Sequence, residues 1–207
     1  MLRTFLGVAG AAPLWAWVFR GKPDGFWKRM ALAAGSLGGF ALLSEPDLRR
    51  RLLRPADIPE GVASAAGLYL IFQAGDRLAR IILPAGGEEI EAIYQLRTSA
   101  PRSAIAALLT GIIAPSEVLF WQGLVQRSFM RRFGRWPGTL LAVASYGGIH
   151  LLTGNLTLSA AATTAGAYWG TEYALTPRLG ANLVSHVLWD VWIFLIAPTP
   201  GGRRRPV

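Results

Sequence analysis

The 207-residue chain has two histidines, His150 and His186, and each stands alone in a long apolar segment. Glu117 and Asp190 have the same kind of surroundings. Between Ser103 and Gln126, Glu117 is the only charged side chain, and between Leu179 and Gly202 only His186 and Asp190 are ionisable. An ionisable group in hydrocarbon costs at least ~2.5–3.5 kcal/mol, so such groups usually face a bundle interior and mark a function. Carboxylates and imidazoles perform proton transfer or bind metal. Four of them in apolar stretches point to an active site inside a membrane.

Spacing brings some of these groups together. His186 and Asp190 are four residues apart and share a helical face, as do Tyr146 and His150. Glu117 and Gln122 are five apart, so they diverge by roughly 140° on an α-helix. At ~1.5 Å per residue, Glu117 lies roughly 18 Å from the Arg131 end of its segment and His150 roughly 20 Å from Pro137. His186 and Asp190 lie ~10–17 Å from Arg178 by the same rise. All four can therefore meet near one depth.

Composition agrees with a membrane setting. The chain is 52% hydrophobic and 16% charged, against about 25% charged in soluble domains, and its mean hydropathy is +0.36. Without cysteine, neither disulfides nor thiolate chemistry is possible. The net charge of +9 comes largely from arginines in short connectors, including Arg49–Arg51, Arg131–Arg132 and Arg203–Arg205. That placement suits topology signals and phospholipid contacts, so a nucleic-acid partner is not expected.

The elements that position the four groups follow from apolar length. The expected fold class is all-α: a polytopic transmembrane bundle of about seven spans plus an interfacial amphipathic helix. The spans are expected near 2–19, 26–43, 61–83, 101–129, 136–152, 156–174 and 179–197. The first is read as a retained anchor, because Trp15, Trp17 and Arg20 stand where a small-residue cleavage site would be needed. Residues 84–100, with Glu88, Glu89 and Glu91 set among Ile90, Ile93 and Tyr94, form the interfacial helix. Pro115 predicts a bend and Gly154-Asn155 a tight turn. Trp121, Trp189 and Trp192 are expected to be packing or interface aromatics.

The connectors at 44–58 and 127–135 are expected on the cytoplasmic side, with the acidic 85–100 stretch opposite. The basic 20–29 loop and the tail then fall on the outer side, against the charge rule.

Three motifs carry a resemblance. They are Glu117-Val118-Leu119-Phe120-Trp121-Gln122-Gly123, Tyr146-Gly147-Gly148-Ile149-His150 and His186-Val187-Leu188-Trp189-Asp190. Together they resemble the CPBP family of intramembrane proteases, which includes the CAAX prenyl proteases. That family reads Glu-Glu-x-x-x-Arg, then Phe-x-x-x-His, then His-x-x-x-Asn or Asp. Val118 stands in place of the second glutamate and Gln122 in place of the arginine. Gln122 can donate a hydrogen bond but supplies no positive charge. The likeness divides the chain into N-terminal segments with a basic connector (1–60), a protease-like core (61–197) and a basic tail (198–207).

The resemblance implies an intramembrane endopeptidase acting on a membrane-associated or C-terminally anchored protein. Glu117 would activate water and His150 would share or orient it. His186 and Asp190 would face the carbonyl oxygen, with Gln122 and Tyr146 in support. No cofactor is expected. The competing account is zinc held by Glu117, His150, His186 and Asp190, although no His-Glu-x-x-His motif is present. A non-catalytic scaffold on the same fold is the alternative that Val118 and Gln122 motivate. A proton-coupled transporter would need an inverted repeat, and none is visible. The expected partners are a peptide or protein substrate and the lipid bilayer. The expected location is a bacterial inner or plasma membrane, with a myxosortase-like sorting branch suggested by the short chain and the missing arginine.

Overall fold

The computed structural model describes residues 1–82 and 86–197. Among these residues the elements are helices and turns, with no strand. The helices are α1 (Leu2–Arg20), α2 (Phe26–Ser44), α3 (Asp57–Ile82), α4 (Gly86–Gln95), α5 (Arg102–Phe133), α6 (Arg135–His150), α7 (Leu156–Leu175) and α8 (Leu179–Ile196). Each expected span meets a helix within a few residues of its expected ends. The basic tail at 198–207 lies outside the described residues.

Among the described residues, three helices, α1, α5 and α8, are long and apolar enough to cross a bilayer by those measures alone. The count of seven spans is therefore not carried by length and apolarity. α6 has only 16 residues, and α7 is rich in Ala, Gly, Thr and Ser, which lower its apolarity while allowing close packing.

α5 is the axis of the bundle. Every residue from Glu117 to Gln126 is buried, and α2, α6 and α8 pack around it. α3 lies along α8, and α6 lies along α7. α1 and α2 form an antiparallel hairpin within the same core, where Trp15, Val18, Ala33 and Ala41 are fully enclosed beside Phe120 and Val125.

The polar ends of the helices order the two faces. Arg127 bonds Asp47 at 3.0 and 2.8 Å, and Arg131 bonds Glu45 at 2.6 and 3.3 Å. The two arginine-rich connectors thus share one face, joined through acids of the 44–58 stretch. On the opposite face, Trp27 Nε1 donates to the Leu96 carbonyl at 2.9 Å, which puts the 20–29 loop beside the acidic stretch. The basic loop that breaks the charge rule has a local reason to be there. The Arg29 guanidinium donates to the carbonyls of Val18 and Lys22 and so satisfies the C-terminal end of α1.

Pro115 does not break α5. Proline has no N–H to give to the preceding turn. The helix takes a π turn at Leu109–Ile113, returns to α geometry over Ala114–Val118, and widens again over Leu119–Gln126. The turn after α6 forms as expected. Gly154 is left-handed, with φ +71°, and the Asn155 side chain accepts from the Leu158 N–H at 2.7 Å to cap α7.

Candidate active site

A cavity of about 300 Å³ opens in the half of the bundle away from the paired arginines. Glu117, Tyr146, His150, His186 and Asp190 all line it. Three helices bring them there: α5 supplies Glu117, α6 supplies Tyr146 and His150, and α8 supplies His186 and Asp190. Glu117, His150, His186 and Asp190 are each only 6% exposed. The rest of the wall is mostly apolar and includes Phe19, Trp27, Phe72, Ile90 and Phe194.

Glu117 occupies the short α segment between the two π stretches of α5. Such irregular turns are frequent at functional sites because they re-aim a side chain. The Tyr146 hydroxyl donates to Glu117 Oε2 at 3.0 Å. One turn of α6 further on, His150 Nδ1 lies 2.7 Å from the Tyr146 carbonyl. A carbonyl only accepts, so a neutral His150 carries its proton on Nδ1 and keeps a lone pair on Nε2. A second partner agrees: Trp15 Nε1, which only donates, points at His150 Nε2 from 3.4 Å.

His186 is held differently. Its Nε2 lies 3.6 Å from Asp190 Oδ2, a close contact beyond hydrogen-bond length. Its Nδ1 is buried without a hydrogen-bond partner. The imidazole stacks on Trp169, with ring centroids 4.0 Å apart and planes 22° from parallel.

Gln122 is buried but does not line the cavity. It stands beyond the site along α5, so nothing in its placement substitutes for an arginine at the cavity wall. Trp189 corrects the reading of the tryptophans as packing or interface groups alone. It lines the cavity, while its ring packs against Phe72 and its indole N–H has no partner. Trp121 does pack as expected, between Trp15, Phe120 and Tyr146, and Trp192 faces outward.

Two indoles that sequence reasoning missed touch the imidazoles, Trp15 at His150 and Trp169 at His186. An uncharged aromatic in an apolar helix has no signature that separates a site residue from packing. Only the frequency of tryptophan, eight in 207 residues, hinted at such a role.

Among the described residues, no three of His, Asp and Glu converge as ligands for one ion. These side chains as placed do not fit a zinc site.

Buried acids and imidazoles thus surround one cavity in a helical bundle. Residues 100–192 match the family model described as type II CAAX prenyl endopeptidase Rce1-like. This stretch, somewhat less than half of the chain, holds all four ionisable site residues and is similar to that family. No curated protein and no solved structure matches the chain.

Proposed function

We propose that the protein is a glutamate-dependent intramembrane endopeptidase that hydrolyses a peptide bond in a membrane-associated or C-terminally anchored protein. The observation that carries this reading is the convergence of Glu117, His150, His186 and Asp190 on one apolar cavity, with the Tyr146 hydroxyl on Glu117. A carboxylate in low dielectric takes up a proton more readily than one in water, which suits a general base.

In this mechanism Glu117 takes a proton from water as the water oxygen adds to the substrate carbonyl carbon. Tyr146 holds the carboxylate in place. The Nε2 lone pair of His150 accepts the second hydrogen of that water once the Trp15 N–H yields its place. His186 and Asp190 face the developing oxyanion. A protonated Asp190 would donate to it directly, and an ionised one would instead hold His186 as the imidazolium. The C–N bond then breaks, and the proton on Glu117 passes to the leaving amine.

The apolar cavity favours a substrate whose scissile bond adjoins an apolar segment. We further infer a bacterial plasma membrane as the setting, where a peptidase of this kind would trim anchored proteins. The test is substrate processing in cells carrying Glu117→Ala or His150→Ala. Loss in both is expected, and processing that persists in both removes the mechanism. The scaffold reading, which Val118 and Gln122 favour, instead requires Glu117→Gln to leave the cellular phenotype intact.

A further inference from the structure

A second pocket, of about 370 Å³, opens on the face of the paired arginines. Arg3 and Thr4 from the start of α1, Ser44 and Glu45 from the end of α2, and Ser128 and Arg131 from the last turns of α5 line it. It shares no lining residue with the cavity that holds Glu117. Ser128 lies about 16 Å further along α5 than Glu117, at the usual helical rise.

The charges around this pocket do not cancel. Glu45 pairs with Arg131 at 2.6 Å and with Arg127 at 3.3 Å, and Arg127 also holds Asp47. Arg3 donates to the Ser44 carbonyl at 3.2 Å, and among the described residues no acid pairs with it. Three arginines thus face two acids, and Arg3 is the surplus. The first N–H groups of α1 open at the same place, and no side chain caps them. They add the positive end of a helix dipole.

Two hydroxyls show what this positive charge can hold. Thr4 is 1% exposed and Ser128 6%, yet both line the pocket. Among the described residues neither hydroxyl has a hydrogen-bond partner. A buried hydroxyl left without a partner is costly. Each side chain is enclosed elsewhere, so its partner has to come from the pocket. Two hydroxyls, a guanidinium with spare N–H groups and the uncapped end of a helix form a set of donors that suits an oxyanion.

The surroundings select which oxyanion. Leu2, Phe5, Leu6 and Leu43, at the same ends of α1 and α2, are exposed. In a bilayer such a surface meets acyl chains, and basic pockets between helix ends hold lipid headgroups. We propose that this pocket binds the phosphate of an anionic phospholipid through Arg3, Thr4 and Ser128, with the acyl chains against the exposed leucines and Phe5. The bound lipid bridges the α1–α2 hairpin to α5. The site is independent of the peptidase chemistry, because it shares no residue with it.

The experiment titrates the full chain in detergent with short-chain phosphatidylglycerol and counts bound lipid by native mass spectrometry. One tightly held molecule is expected. Arg3→Gln should weaken it about 10–100-fold, as expected for a lost bond to a charged group, and Thr4→Val about 3–10-fold. Arg132→Gln, on the same face but outside the pocket, should leave the affinity unchanged. Phosphatidylcholine with the same chains should bind at least about 10-fold more weakly, because its choline cation meets Arg3. Inorganic phosphate at the same concentration should not displace the lipid. Melting curves without lipid establish that each variant is folded, and Ser128→Ala replaces any variant that is not. Equal binding of the two lipids overturns the proposal, as does an unchanged affinity in both Arg3→Gln and Thr4→Val. An equal loss in Arg132→Gln means diffuse surface charge and also overturns it. Displacement by inorganic phosphate makes this a free-phosphate site and removes the lipid. Turnover is not read in any arm, so these outcomes stand apart from the fate of the Glu117 mechanism.

Discussion

The Tyr146 hydroxyl donates to Glu117 at 3.0 Å, while the carbonyl of the same tyrosine faces His150 Nδ1 at 2.7 Å. One residue of α6 therefore sets both the acid on a neighbouring helix and the imidazole one turn beyond. The two functions are separable, because one uses the side chain and the other the backbone. Tyr146→Phe should remove only the first. A hydrogen bond to a charged group is worth about 1.5–3 kcal/mol, so kcat should fall about 10–100-fold. The His150–carbonyl contact and the thermal stability should change little. Steady-state kinetics with a melting curve checks this, and an unaffected kcat would mean that Glu117 needs no holding.

Trp15 makes the N-terminal hairpin part of the site. It is fully buried, and its N–H points at the lone pair that His150 would use toward water. Trp15→Phe keeps an aromatic ring beside Trp121 and His150 and deletes the donor. A bond of 3.4 Å is long, so a several-fold change in kcat is expected rather than loss of activity. Trp15→Ala should be far worse, because a large-to-small change in a packed core costs about 3–5 kcal/mol. Comparing the two variants for kcat and for melting temperature separates the polar contact from the packing.

Much of this arrangement was readable from residue types. Isolated ionisable groups in apolar stretches marked Glu117, His150, His186 and Asp190, and i,i+4 spacing paired the last two and joined Tyr146 to His150. Helix limits followed apolar length, and the Gly154-Asn155 turn followed from local backbone chemistry. What stayed hidden depends on tertiary contact. Trp15 and Trp169 have no charge to set them apart from packing aromatics. Glu89 was read only as part of the polar face of an interfacial helix, yet its carboxylate reaches a helix end nearly seventy residues away. The π turns of α5 were also invisible, since Pro115 signals a disturbed ladder but not how the backbone absorbs it.

Glu89 ties α4 to the start of α7. Its carboxylate accepts from the Thr157 N–H at 2.8 Å, the Thr157 hydroxyl at 2.5 Å and the Leu156 N–H at 3.2 Å. The Thr157 hydroxyl is the main reason its pKa lies below the usual carboxylate range, and the backbone N–H groups of Thr157 and Leu156 pull the same way. A carboxyl with a depressed pKa in the fold stabilises above its unfolded value, near 4.3, and that contribution is lost as pH falls through the lower folded value. Glu89→Gln should therefore lower the melting temperature at pH 7, by the worth of a cap at about 1 kcal/mol. The gap to the natural protein should close below about pH 4. Melting curves in nanodiscs across pH 3–8 check the sign, and a gap that widens in acid contradicts it.

The metal question has a direct chemical answer. With no three ligands converging among the described residues, chelation should leave turnover unchanged. Stoichiometric zinc should also be missing from pure active enzyme. Elemental analysis before and after dialysis against a chelator measures both. One equivalent of tightly bound zinc, lost together with activity, would require the side chains to rearrange around an ion and would replace the glutamate mechanism.

Gly166 offers the sharpest separation of stability from activity. A Cβ at this position of α7 would stand 2.7 Å from Tyr146 Cδ1, so an alanine must push the tyrosine ring. Gly→Ala in a helix interior gains about 1 kcal/mol from propensity, and overpacking costs about 1–3 kcal/mol. The gain offsets only part of the cost, so Gly166→Ala should still fold, with a net loss of about 0–2 kcal/mol and a correspondingly modest fall in melting temperature. The displaced ring nevertheless carries the hydroxyl away from Glu117, and kcat should fall toward the level of Tyr146→Phe. Combining the two substitutions should then cost little beyond either alone, because the hydroxyl contact can be lost only once. Additive losses would mean that Gly166 acts on the site by another route, through α7 and not through Tyr146.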